Sequence, residues 1–169
     1  MLNETEIYLL VKNWLIDKNW QIIGAEPPGG TNHIPRIELH DPEYKLKGSK
    51  GSKKIDIVAY KNNFFLLLEL KDDYSKISSD VKKLNTIVSE KKWLNAFYKS
   101  VSERKIPILE SLETDLEDVI LKKCNLIKAI GYNYNKRLGP DDYISFLIHN
   151  KSIIVHIGTK IRTTIRNLF

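Results

Sequence analysis

Three charged residues stand where charge is costly: Asp56 in the run IDIVAY, and Glu69 and Lys71 at the end of FFLLLELK. An acid-x-lysine triplet is weak evidence in so basic a chain, which carries one at Glu43/Lys45, Glu69/Lys71, Asp80/Lys82, Glu90/Lys92 and Glu103/Lys105. Context separates Glu69/Lys71. It closes the most apolar run of the chain, where an ionised acid and base need a reason to sit so near a core; the other four read as loop or charged helix-face residues. Two carboxylates brought face to face repel unless a cation lies between them, and an oxygen-only set suits Mg²⁺, with Mn²⁺ able to substitute, rather than zinc. Such a cation stabilises charge developing on a phosphate and lowers the pKa of a bound water, while Lys71 would hold or deprotonate the attacking water.

The segments around these residues predict how they meet. Asn62 and Asn63 lie between the two apolar runs and tolerate the positive φ of a two-residue hairpin turn. Such a turn sets Asp56 opposite Glu69, with Lys71 on the same face and Ile57, Leu68 and Leu70 on the other. Upstream, Ile7, Leu10, Val11, Trp14 and Leu15 recur at helical spacing over residues 3–19, with Asn3 as cap. Glu4 shares that apolar stripe and points toward the core side; Glu6 lies toward the flank. Residues 20–25 read as a strand, 26–35 as a Pro/Gly-rich loop and 36–39 as an extended piece. The periodicity predicts a long amphipathic helix over 77–101, with a break near 91–93, and an acidic helical turn within 112–123. Strands at 126–132, 143–149 and 152–158 follow, the last two joined by an Asn150-Lys151 turn, and the tail 159–169 is strand or short helix. This order predicts one domain over 1–169, of α/β (α+β) class with a mixed β-sheet flanked by helices.

Composition narrows the partners. The 169 residues carry 27 Lys and Arg against 21 Asp and Glu, a net charge of +6, which favours a polyanion. Lys45, Lys47, Lys50, Lys53 and Lys54 crowd the Gly/Ser-containing stretch before Asp56, and mobile lysines there could neutralise backbone phosphates without reading sequence. Lys47, Lys50, Lys53 and Lys54 are therefore the candidate DNA-binding residues. The longest apolar run, Phe64 to Leu68, is too short to span a bilayer, and the acidic start MLNETE does not resemble a secretory signal, so no membrane partner and an intracellular, cytoplasmic location are expected. Cys124 is the only cysteine, which excludes an internal disulfide and a Cys-based zinc cage. His33, His40, His149 and His156 have no metal-pair spacing, and Gly29-Gly30 lacks the Gly-Lys-Ser/Thr triplet of a P-loop.

In GSKKIDIVAY and FLLLELK, with an acid on the first helix, the chain resembles the PD-(D/E)XK nuclease superfamily of restriction-endonuclease-like fold, over residues 1–105. GSKKIDIVA is similar in particular to archaeal Holliday-junction resolvases. Ile55 stands where the superfamily name places proline. The resemblance implies a Mg²⁺-dependent endodeoxyribonuclease, with metal contacts at Asp56, Glu69 and Leu70, water assistance by Lys71, and Glu4 acting through the metal's water shell. The segments beyond that core, residues 106–169 above all, suggest a restriction-type enzyme, either a homodimer or a subunit of a heteromeric nuclease. A resolvase-like enzyme and a non-catalytic DNA-binding subunit are the alternatives.

Overall fold

A computed structural model describes residues 1–28, 34–41, 51–103, 109 and 115–169. Helix α1 (Glu4–Asp17) starts at a reciprocal cap: the Asn3 side chain accepts the Glu6 N–H at 2.9 Å, and the Glu6 carboxylate accepts the Asn3 N–H at 2.8 Å. Asn19, at φ 60°, turns the chain into β1 (Gln21–Ala25). Two short strands, β2 (Glu38–Leu39) and β3 (Lys53–Lys54), pair as a separate antiparallel ribbon. The hairpin of β4 (Ile57–Lys61) and β5 (Phe64–Leu70) turns at Asn62 and Asn63, both at positive φ, and its pairs run from Ile57↔Leu68 to Lys61↔Phe64 in the expected register.

The segment 77–101 does not form one helix. Glu90 adopts an extended conformation (φ −100°, ψ 122°) and separates α2 (Ser78–Ser89) from α3 (Lys91–Ser102), close to the expected break. The acidic stretch before the second half contributes a π-helical turn, Asp118–Lys122. Strands β6 (Leu126–Asn133), β7 (Ile144–His149) and β8 (Ser152–Ile157) follow, with Asn150 and Lys151 at positive φ between the last two, and the tail forms the short helix α4 (Thr163–Arg166).

Six strands make one mixed sheet in the order β1-β4-β5-β6-β7-β8, parallel at β5/β6 and β6/β7 and antiparallel elsewhere. The architecture is α+β, with helices against the sheet. Residues after 105 supply half of it: β6 lies directly against β5, so the second half of the chain completes the sheet that bears Glu69.

Period-two alternation divides the interior. Val58, Tyr60, Phe65 and Leu67 pack with Leu84, Ile87, Trp93 and Phe97 of α2 and α3. Ile57, Ala59, Leu66, Leu68 and Leu70 pack with Ile7, Val11 and Leu15 of α1. Burial on both faces explains why β5 reads as a continuous apolar run. Among the described residues, no helix is long and apolar enough to cross a membrane.

Candidate active site

The site lies at the carboxyl end of β5. Ile57, Leu68 and Leu70 occupy the α1 face, as the hairpin register requires. Asp56 stands one residue before β4 rather than within it. Its carbonyl accepts the Glu26 N–H at 2.8 Å, and its Oδ2 accepts the Leu70 N–H at 2.8 Å, so the side chain is held against the end of β5 instead of entering the ladder. Leu70, a hydrocarbon side chain turned to the α1 face, could reach a metal only through its backbone.

Lys71 follows the last residue of β5 and meets both sides of the sheet. Its Nζ is 3.8 Å from Glu4 Oε1 and 3.5 Å from Asp80 Oδ2. Glu6, occupied in the helix cap, is not the acid that approaches Lys71. The position of Glu4 depends on Asn133: its side chain accepts the Leu2 N–H at 3.1 Å and donates to the carbonyls of Leu2 at 2.8 Å and Asp72 at 2.7 Å. The start of α1 is thereby tied to the segment after β5.

Helix α2 adds two residues that sequence reasoning missed. Lys83 Nζ lies 2.6 Å from Glu69 Oε2 and 3.3 Å from Asp80 Oδ1. Asp80, expected on a charged helix face, is instead 7% exposed, because it recurs with Ile77, Leu84 and Ile87 on the buried stripe of α2. The stripe was legible, and the same argument that singles out Glu4 would have found Asp80. Nothing comparable marked Lys83, Asn133 or Glu26.

A cavity of about 280 Å³ opens beside the cluster, walled by Glu4, Tyr8, Glu26, Pro27, Asp56 and Lys71 among others. A larger one of about 450 Å³, between β2 and α3, shares none of these residues and has no comparable convergence of acids on a lysine.

The electrostatics follow from burial. Glu69 is 2% exposed, and desolvation, then the neighbouring Asp56 charge, hold its carboxyl well above the ordinary range, against the pull of Lys83. Burial also raises Asp56, despite the Leu70 N–H. Burial alone would lower Lys71, but Asp80, Asp56, Glu4 and Glu69 together hold it above its usual value; Lys83 is raised in the same way, chiefly by Glu69. Two buried acids whose carboxyls are raised thus stand beside two lysines whose ammonium forms the same acids favour, a concentration of perturbed groups beside one cavity.

A stability prediction follows. A carboxyl whose folded pKa is raised stabilises the fold below its unfolded value and loses that contribution as pH rises through the elevated folded value. Glu69→Gln, measured without metal, should therefore gain melting temperature relative to wild type as pH rises from the ordinary carboxylate range to neutrality. Each gain of about 1 kcal/mol would appear as roughly 2–4 °C at this chain length. A difference between the two melting temperatures that does not change with pH would show that Glu69 carries no such burden.

The basic stretch is only partly within the described residues: Lys47 and Lys50 lie outside them, as do His33, Gly29 and Gly30. Lys53 and Lys54 form β3 rather than mobile loop. The Lys53 ammonium lies 4.6 Å from the centre of the Trp93 ring, and Lys54 pairs with Glu26 at 3.5 Å. His40 and His149 are exposed and His156 is half-buried, and none joins the cluster. The half-buried Cys124 thiol is pushed up by burial and contacts the Val88 carbonyl at 3.7 Å.

No family model matches the chain, and no curated protein or solved structure matches it.

Proposed function

We propose that this chain is a Mg²⁺-dependent DNA endonuclease of restriction type, resembling the PD-(D/E)XK superfamily. One observation carries the reading: Asp56, bound to the Leu70 N–H at 2.8 Å, stands at the end of β5 beside Glu69, whose carboxyl its charge raises, and beside Lys71, with a first-helix acid 3.8 Å from that lysine.

The residues suit a divalent cation. Glu69 Oε1 is buried without a hydrogen-bond partner, an orphan acceptor that a cation would satisfy. Among the described residues no group of three or more His, Cys, Asp and Glu side chains is arranged to hold a metal. Asp56 and Glu69 would therefore share it with main chain, water or substrate, the pattern Mg²⁺ commonly takes. Once bound, Mg²⁺ or Mn²⁺ supplies charge stabilisation at the phosphate and a more acidic water.

The chain's own groups do the rest. The backbone N–H of Leu70 aims Asp56. Lys71, held positive by four carboxylates, binds and orients anionic groups at the cavity mouth, and Glu4 restrains it from the α1 side.

Plasmid, linear duplex and four-way junction DNA, each incubated with the protein in Mg²⁺, Mn²⁺ or EDTA, test the proposal. Metal-dependent cutting of plasmid and linear duplex is expected. Cutting confined to the junction substrate would favour a resolvase-like enzyme, and binding without cutting in every mixture would overturn the enzyme reading in favour of a DNA-binding subunit.

Basic residues should contribute affinity without sequence preference. Replacing Lys50, Lys53 and Lys54 with alanine should flatten the dependence of log Kd on log salt by about one unit for each phosphate that is no longer neutralised. An unchanged slope would assign all three to solvated or structural roles, for which Lys53 on Trp93 and Lys54 on Glu26 already provide partners.

A further inference from the structure

Glu69 is the most constrained acid of the cluster, and its two oxygens are treated differently. Oε2 lies 2.6 Å from the Lys83 ammonium, whereas Oε1 is buried with no hydrogen-bond partner. Lys83 is itself fixed. Its Nζ donates to the Lys54 carbonyl at 2.9 Å and lies 3.3 Å from Asp80 Oδ1, so three acceptors surround a group with three donors. Asp80 Oδ2, in turn, is 3.5 Å from Lys71. An acid and a lysine one turn apart on α2 thus interleave with the acid and lysine two apart at the end of β5.

We propose that Lys83 is a positioning residue for Glu69. By holding Oε2 it prevents the carboxylate from rotating and presents Oε1 alone to a divalent cation shared with Asp56. This rests on the metal-binding reading above and adds to it a specific residue from outside the acid-x-lysine motif. The physical reason is general: a metal-binding carboxylate is oriented by a hydrogen-bonding partner, and losing that partner costs about 10–100-fold in metal affinity. The opposite role is also chemically coherent. An ammonium standing in for the cation would compete with it, and its removal would tighten metal binding.

Mn²⁺ binding to the full chain without DNA, by calorimetry and by the electron paramagnetic resonance of bound Mn²⁺, decides between them. Lys83→Met should weaken Mn²⁺ about 10–100-fold, and Lys83→Arg, which restores a charged donor, should recover part of the loss. A melting curve for each variant establishes that it is folded. If Lys83→Met does not fold, Lys83→Gln replaces it and should likewise bind more weakly than wild type. Equal or tighter Mn²⁺ binding by a folded Lys83→Met or Lys83→Gln protein overturns the assignment. Asp56→Asn separates this from the underlying reading. Wild type that binds no Mn²⁺, or Asp56→Asn that binds as tightly as wild type, removes the metal site and the role of Lys83 with it. Binding lost in Asp56→Asn but unchanged in Lys83→Met removes Lys83 alone.

Discussion

Asp56→Asn and Glu69→Gln should each reduce metal-dependent DNA cleavage by about 10³-fold or more, since a metal contributes several kcal/mol of transition-state stabilisation and each 1.4 kcal/mol is tenfold in rate. Both substitutions keep the side-chain shape. The amide of Asp56→Asn would still offer an oxygen to the Leu70 N–H, and that of Glu69→Gln would place no ionisable group in a site that is 2% exposed, so the fold should persist. DNA binding should persist too, and could tighten as a carboxylate near the phosphate is removed. Lys71→Ala should also lose activity, by about 10²–10³-fold, because it removes a fixed positive donor from the anionic groups at the cavity mouth. Its metal affinity should stay near that of wild type, because Lys71 approaches Glu4 and Asp80 in the structure. Cleavage rates and Mn²⁺ affinities measured on the same preparations check all three. Either carboxylate variant cutting at the wild-type rate would refute the assignment of that residue.

The second large effect is on stability. Phe65→Ala should cost about 3–5 kcal/mol, a large part of the stability of an ordinary domain. Phe65 is fully buried in β5, its ring 5.0 Å from Tyr60 and 5.5 Å from Phe97 in an edge-on arrangement, so it joins the sheet to α3. Truncation removes buried area and leaves a cavity that the paired strands cannot close. Urea unfolding should show a lowered midpoint with an unchanged m-value, and a loss below about 1 kcal/mol would contradict this packing. Leu9→Ala, at a position 50% exposed on α1, should stay within about 0.5 kcal/mol of wild type and serves as the control. Because Phe65, Leu67 and Glu69 alternate along one face, the substitution that weakens the core also loosens the strand that carries the acid.

Much of this was legible because it is short-range. The Asn3 cap and the Asn62-Asn63 and Asn150-Lys151 turns are each decided within a few residues by φ preference and capping. The register that brings Asp56 to the end of β5 follows from the length of the turn, and the preference for Glu4 over Glu6 follows from the helical stripe. Composition suggested basic loop residues, but not that Lys53 would pack on Trp93 within a strand, since that pairing spans forty residues. The environment of the candidate site was decided only by tertiary structure. Asp80 and Lys83 reach Glu69 and Lys71 because α2 packs across the face of β5 bearing Phe65 and Leu67. Asn133 reaches Leu2 and Asp72 because the parallel β6 brings its own end beside that of β5. Local preference determines which residues turn, cap or alternate; which charges neutralise one another depends on helices and strands far apart in the chain being packed together, and no local pattern records those distances.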